Sequence, residues 1–459
     1  MRDAPAPPYR TTPEVTERMP RGLPYLLGNE LAERFSFYGM KAILVVYMTE
    51  HLLNSNGQPA YMSEEDAKSL YHLFNAAAYF FPLLGSILSD VFLGKYKTII
   101  YLSLGYCVGH GLLAMGDSGI GAQLFEPKTW MYAGLLFIAI GAGGIKPCAS
   151  ANLGDQFGSR NKHLLAKAFE WWYFSINVGA AASSFLIPKL LDEYGPWVAF
   201  GLPGVLMVIA TITFWVGRHK FAHVPPSGWA KFRSETLSPE GLRSLRYLAP
   251  LFLLFVPMFW SIFDQTGSAW VLQANAMDLN VLGYEFLPAQ IQAANPVFIL
   301  FLLPLFALVI YPRLNRVVGL TPLRKIGIGF CVTILASAMT AWLQMRIDGG
   351  ETPSILWQIL GYLVLTSAEV LVSITTLEFA YSQAPRKMKS FIMGIYFLGV
   401  SFGNLFASGV NKVMSLGLIT LEGADYFWFF TVAMVVVTLA YFVFAAKYKG
   451  DTFVQDEGE

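Results

Sequence analysis

The sequence predicts an all-α integral membrane protein with twelve transmembrane helices in two pseudo-symmetric halves of six. Three observations predict it. Of 459 residues, 55% are hydrophobic and 14% charged, at a mean hydropathy of +0.48, against about 25% charged in an average soluble domain. Apolar stretches of about 20 residues, enough to cross a bilayer as a helix, recur near 23–53, 66–91, 97–117, 129–152, 165–190, 197–217, 247–273, 287–311, 322–346, 353–383, 390–416 and 425–447. One long polar connection, Arg218 to Arg246, carries Pro225-Pro226, Ser238-Pro239 and six Lys or Arg, and splits these stretches six and six. The organisation is then a tail over 1–22, a bundle over 23–217, a linker over 218–246, a second bundle over 247–447 and a tail over 448–459.

Charge is positional rather than global. With an even number of spans both tails share a side, and the loops and tails of that side hold 24 Lys and Arg. The opposite loops hold five: Lys68, Lys128, Lys189, Arg346 and Lys412. This asymmetry places both tails and the linker in the cytoplasm. A net charge of +1 leaves no basic excess for a phosphate backbone, which excludes nucleic acid as a partner. Cys107, Cys148 and Cys331 sit in three separate apolar segments, without zinc-ligand spacing or a disulfide framework. Residues 1–20 lack the apolar core of a cleaved signal peptide, so the first span is expected to act as its own insertion signal. Short loops and the lack of a sorting segment favour the inner membrane of a cell over an organelle.

Polar residues inside spans carry the functional information, because a charge near the bilayer centre costs roughly 2.5–3.5 kcal/mol on insertion scales. In the first span, Glu30, Arg34, Phe37 and Lys41 share one helical stripe, flanked by Glu33 and Tyr38. The second holds Tyr71, His72 and Tyr79; His72 is either a satisfied neutral imidazole or a titrating group. The fourth contains Gly141-Ala-Gly-Gly-Ile-Lys146-Pro147, a lysine beside a helix-bending proline after glycines that permit close approach. Asn177 in the fifth either orients a ligand amide or joins two helices. The seventh places Trp260 one turn before Asp264, which has no basic neighbour in its own helix; Lys41, at similar depth, is the expected partner closing the outer end. Gln290, Gln292 and Asn295-Pro296 in the eighth either grip a ligand or satisfy a broken helix. Glu369 and Glu378 in the tenth lie nine residues apart, on opposite faces. Glu378 reads as a bridge to Arg386, Lys387 and Lys389, which leaves Glu369 for the cavity.

One cavity would thus hold cations Arg34 and Lys146 from the first half and Glu369, near Asn295, from the second. Such a bipolar site suits an extended zwitterion of two or three residues, at about 3.3–3.6 Å each. Its charges would replace internal pairings such as Lys146 with Glu369, and Glu30 and Glu33 would link a proton to the state of Arg34. These residues lead to a proton-coupled carrier of small charged solutes and no further. A monomer is expected as the working unit, with the proton as coupling ion and no cofactor. No His/Glu metal pair, Gly-x-Ser-x-Gly or paired Asp signature supports an intramembrane enzyme. Charges confined to a few helices also disfavour a passive channel.

A faint repeat supports two related halves. Gly85-(x4)-Asp90-(x3)-Gly94-Lys95-Tyr96-Lys97 follows the second span, and Tyr311-Pro-Arg-Leu-Asn-Arg316-(x2)-Gly319 follows the eighth. The first of these loops resembles the signature loop of the major facilitator superfamily. From Gly28 to about Asn404 the chain resembles the proton-dependent oligopeptide transporters of that superfamily. E-x-x-E-R-F-x-(Y/F)-Y-G stands at Glu30–Gly39, G-x-G-G-I-K-P at Gly141–Pro147 and S-x-x-x-G-D-Q-F at Ser150–Phe157. A variant of F-Y-x-x-I-N-x-G stands at Trp172–Gly179. The resemblance implies symport of di- and tripeptides with protons by alternating access. It implies Arg34 and Lys146 for the peptide carboxylate, Asn177 and Asn295 for the backbone or amino terminus, and Glu369 for the amino terminus. Tyr38, Tyr79 and Trp260 would line the pocket, and Glu30, Glu33, His72 and Asp264 would serve proton coupling. Lys41 with Asp264, and Lys146 with Glu369, would be gating bridges. Phe37, Lys41 and Ala269 depart from common Tyr, Arg and basic residues, which bears on selectivity. The linker is too short for two further spans. The same framework also carries nitrate or other small solutes such as amino acids, and Glu369 argues against an anion.

Overall fold

Hydrocarbon offers backbone groups no hydrogen-bonding partner, so long apolar runs fold as helices that satisfy themselves. The structure, a computed structural model, describes residues 9–236, 238–383 and 389–448. In chain order its long helices are α1 Leu23–Val46, α2 Glu64–Ile87, α3 Lys95–Gly116, α4 Pro127–Gly154, α5 Leu165–Tyr194 and α6 Pro196–Val216. There follow α7 Val256–Phe263, α8 Ala294–Leu305, α9 Pro322–Asp348, α10 Leu356–Glu369, α11 Lys389–Ser415 and α12 Ala424–Lys447. Among the described residues, ten helical stretches are long and apolar enough to cross a membrane by length and composition. The charged stripe of α1 dilutes its hydropathy, yet most of that helix, Glu30, Glu33, Arg34 and Lys41 included, is buried. Charges survive there because they face protein.

Several helices pass into π turns, wider turns that tend to mark functional positions. Leu88–Leu93 extends α2 and Phe306–Ile310 extends α8, at the two places where the sequence repeats faintly. Leu251–Phe255 precedes α7 and Val370–Ile374 follows α10, directly after Glu369.

The buried apolar side chains divide as the sequence does. One core gathers residues from Leu23 to Phe221, a second residues from Leu248 to Tyr441. Inside the first, glycines set the helix spacing. A methyl group at Gly85 would collide with the backbone of Gly144, one at Gly143 with the Ala78 carbonyl, and one at Gly141 with Tyr106. The glycine run before Lys146 therefore exists to press α4 against α2 and α3.

The linker departs from expectation. The stretch read as a polar connection holds helices Trp229–Thr236 and Pro239–Pro250, the second of which packs Leu245 and Leu248 against the core while Leu242 stays exposed. A two-residue hairpin, Asn280–Val281 with Tyr284–Glu285, also interrupts the chain before α8. The expected bridge from exposed Glu378 to Arg386, Lys387 and Lys389 falls on side chains outside the described ones.

The N-terminal tail and linker clasp the basic end of the first half. His223 N–H donates to the Arg10 carbonyl at 2.7 Å, and an Arg10 guanidinium nitrogen donates to the Lys220 carbonyl at 2.8 Å. The His223 ring stacks on Tyr9 at 4.3 Å and meets Tyr96 at 4.4 Å. Burial pushes the His223 pKa below its ordinary value, with nearby His219 adding to the effect. The folded clasp thus binds fewer protons than the released one, and its stability is lost as pH falls through the ordinary histidine range near 6.5. Limited proteolysis is expected to cut at the tail or linker faster at pH 5.5 than at pH 7.5, with His223→Phe flattening the difference. A second expectation concerns packing: Gly85→Ala should lower stability by about 1–3 kcal/mol, read as an earlier thermal unfolding midpoint in detergent.

Candidate functional site

Two polar assemblies span the seam between the halves, one a seal and the other a group whose charges are incompletely paired. The seal lies toward the end poor in Lys and Arg. There Lys41 Nζ meets Asp264 Oδ1 at 2.8 Å, both side chains buried. A buried ion pair is stable only when its remaining lone pairs are also satisfied. Asn404 of α11 does this, donating from Nδ2 to Asp264 Oδ2 at 2.7 Å and to the Val400 carbonyl at 3.1 Å. Both partners are acceptors, which fixes the amide orientation. Asn404 Oδ1 then faces His72 Nδ1 at 2.8 Å as an acceptor, so Nδ1 carries the hydrogen. Nε2 of the neutral ring is left to accept from Ser268 Oγ at 3.0 Å. Ser268, His72, Asn404, Asp264 and Lys41 form one directional chain that crosses between the halves.

Other contacts close the same end. Lys412 Nζ pairs with Asp66 at 2.9 Å, Ser401 Oγ donates to the Ala76 carbonyl at 2.8 Å, and Ser69 and Ser408 bond each other. Gln290 donates to the Phe185 carbonyl and Gln292 to that of Ala42, both at 2.9 Å. These two amides join the halves, an assignment that neither sequence alternative contained.

To the second assembly the first half contributes Arg34, whose Nε lies 2.7 Å from Glu30 Oε1 and 3.1 Å from Glu33 Oε2. Glu33 makes no well-aligned hydrogen bond among the described residues, so the cation is shared unevenly. Lys146 is buried with no hydrogen-bond partner there, its ammonium 4.0 Å from the Tyr79 ring centroid and 4.2 Å from that of Phe37. Phe37, which removes a hydroxyl, thus supplies half of a cation–π cage. Arg34, Glu33 and Lys146 lie within electrostatic reach of one another.

The second half contributes Glu369, part-exposed at the last residue of α10, whose Oε2 accepts from Asn295 Nδ2 at 2.7 Å. Asn295 also donates to Thr366 Oγ1 at 3.1 Å. Glu369 and Lys146 do not pair in this conformation: a neutral amide holds the first and two rings hold the second. Tyr38, part-exposed, is within electrostatic reach of Arg34 and Glu33 on one side and Glu369 on the other. Trp260 is buried against Phe259 and Phe263, and its indole N–H has no hydrogen-bond partner among the described residues. Asn177 folds its amide onto the Tyr173 carbonyl of its own helix at 2.9 Å. Asn404 and Ser268 escaped sequence reasoning; the available signal was an asparagine placed mid-span. No group of three or more His, Cys, Asp or Glu positioned to hold a metal occurs among the described residues.

Because Lys41 and Asp264 compensate each other, Lys41→Met alone is expected to cost about 3–5 kcal/mol. The double variant Lys41→Met/Asp264→Leu should cost less than the sum of the singles. Thermal unfolding in detergent checks this, and additive effects would show that the pair is not coupled.

Comparison with known proteins follows the same lines. The model of the POT family matches residues 96–236 and 229–429. Solute carrier family 15 member 2 of Mus musculus is 33% identical over 81% of this chain and 55% of its own. Peptide transporter family 1 of Drosophila melanogaster is 37% identical over 72% of this chain and 48% of its own. The chain spans about half the length of these curated relatives. A solved structure of an autoinhibited POT family peptide transporter is 34% identical, with a TM-score of 0.83 over 95% of this chain and 99% of that one. A POT family transporter solved in meso is 35% identical at a TM-score of 0.81, over 94% and 99%. These relatives are named as transporters, not as enzymes.

Proposed function

Because the chain belongs to the POT family, we propose that this multi-pass membrane protein imports di- and tripeptides with protons by alternating access. The observation that carries the reading is that, among the described residues, buried Lys146 of the first half has no hydrogen-bond partner beside the Arg34–Glu30–Glu33 group, while Glu369 of the second half accepts from the neutral amide of Asn295. The peptide carboxylate would take Lys146 and Arg34, and the amino terminus Glu369, with Asn177 and Asn295 along the backbone and Tyr38, Tyr79 and Trp260 as walls. As both halves grip one ligand, binding favours conformations that bring them together.

Proton coupling follows from the shared cation. When Arg34 turns to a substrate carboxylate, Glu33 loses its counter-charge and becomes the group to which a proton is delivered, with Glu30 retaining what remains of the pair. His72 and Asp264 would join proton state to the seal, since protonating His72 at Nε2 replaces the acceptor that Ser268 now addresses. Lys146 with Glu369 would close when no peptide separates them. Twelve spans, with both tails and the linker on the cytoplasmic face of the cell membrane, and a monomeric working unit complete the reading.

Reconstituted in liposomes with an inward proton gradient, the protein is expected to accumulate a labelled dipeptide above equilibrium. The same peptide with its amino group blocked should fail, and Glu369→Gln should lower accumulation at least tenfold. Equal handling of both peptides would remove Glu369 from the site. Gradient-driven uptake of nitrate or amino acids in place of peptide would transfer the site to those solutes.

A further inference from the structure

Away from the central site, the sealed end holds a cavity of about 440 Å³ whose walls come from both halves. Ligand pockets commonly measure about 300–1,000 Å³. Lys68, in the first turns of α2, reaches into it. The residue is only 6% exposed, yet its ammonium has no ion pair or hydrogen bond among the described residues and rests 4.6 Å from the ring centroid of Tyr426 in α12. Glu64 and Glu65 lie within electrostatic reach of this lysine, but neither forms an ion pair with it among the described residues, so its ammonium retains capacity for a closer anion. Leu272, Met414 and Phe427 supply apolar wall, and Gln273 and Gln344, bonded to each other at 2.9 Å, supply amides. Glu64, Glu65 and Glu422 stand around the same cavity, and Glu64 and Glu422 are exposed. Carboxylates at the rim repel a simple anion and attract an amine, while the lysine inside requires a carboxylate.

We propose that this cavity is a second, peripheral ligand site for a small zwitterion with an apolar body, its carboxylate on Lys68 and its amine toward the acidic rim. A free amino acid has this chemistry. A ligand seated against both halves favours the conformation in which this end is closed, so occupancy slows the opening of the seal. The site requires nothing of the transport reading and is tested by binding alone.

Isothermal titration of the purified full chain with L-phenylalanine is expected to show saturable binding in the millimolar range, as for a small ligand with few polar contacts. Phenethylamine, the same body without the carboxylate, should bind at least tenfold more weakly. Lys68→Met should weaken phenylalanine at least tenfold, while Lys68→Arg should keep most of the affinity and serve as the control for folding. Glu369→Gln should leave it unchanged. No binding to the unaltered protein, equal binding of phenethylamine, retention in Lys68→Met, or loss in Glu369→Gln instead would each overturn the proposal.

Discussion

The seal between the halves depends on one buried ion pair and on the asparagine that completes it. Lys41 and Asp264 have left water, and their mutual attraction offsets that loss only because Asp264 gains a second donor. Once Asn404 is committed to that role, its other end can only accept, and the tautomer of His72 follows without freedom. A Coulombic requirement at Asp264 is thereby transmitted, bond by bond, to a histidine on the other half and to Ser268 beyond it. Each bond of the chain has one allowed direction, so a change of proton state at either end must be met along its length.

The second assembly follows the opposite rule. Lys146 is held by rings, Glu369 by a neutral amide, and Arg34 by two carboxylates that compete for one nitrogen. None of these arrangements exhausts the charge it contains. Charged groups with weak internal partners can exchange them for a ligand at small cost, whereas fully paired groups cannot. The contrast separates groups whose partners are complete from groups that retain unmet charge.

How much of this was legible depended on how far each residue departs from its surroundings. Glu30, Arg34, Lys41, Lys146 and Asp264 stand out because hydrocarbon tolerates no idle charge, and depth alone suggested Lys41 for Asp264. Asn404 was invisible: among the Ser and Gly of α11 an asparagine resembles any helix-joining amide, and only its neighbours from α2 and α7 give it a role. Gln290 and Gln292 reach backbone carbonyls of the first half, partners that leave no trace in side-chain pattern. The helices at Trp229–Thr236 and Pro239–Pro250 were hidden by composition, since a short amphipathic helix among polar residues reads as a loop. A Lys146–Glu369 pair was expected on charge alone, but side-chain identity does not specify which of two conformations is present.

The same reasoning bears on where the molecule can bend. In the first half, α2 meets α4 through Gly85 and Gly144 with no space for a methyl group, and α4 meets α3 at Gly141 just as closely. Backbones in such contact move together, since separating them opens voids along the whole crossing. π turns, where the hydrogen-bond ladder is widened, occur in both halves, at Tyr47–His51 and Leu88–Leu93 in the first and at Leu251–Phe255, Phe306–Ile310 and Val370–Ile374 in the second. The second half has close crossings of its own, since a methyl group at Gly399 would collide with the Phe252 carbonyl and one at Gly403 with that of Pro257. Glu369 sits at the edge of one of these turns, and Lys146 at the end of a glycine run. The two are therefore mounted differently, Lys146 on a glycine crossing and Glu369 beside a widened turn, and that turn is itself pressed on Gly329 of α9 through Leu371 and Val372.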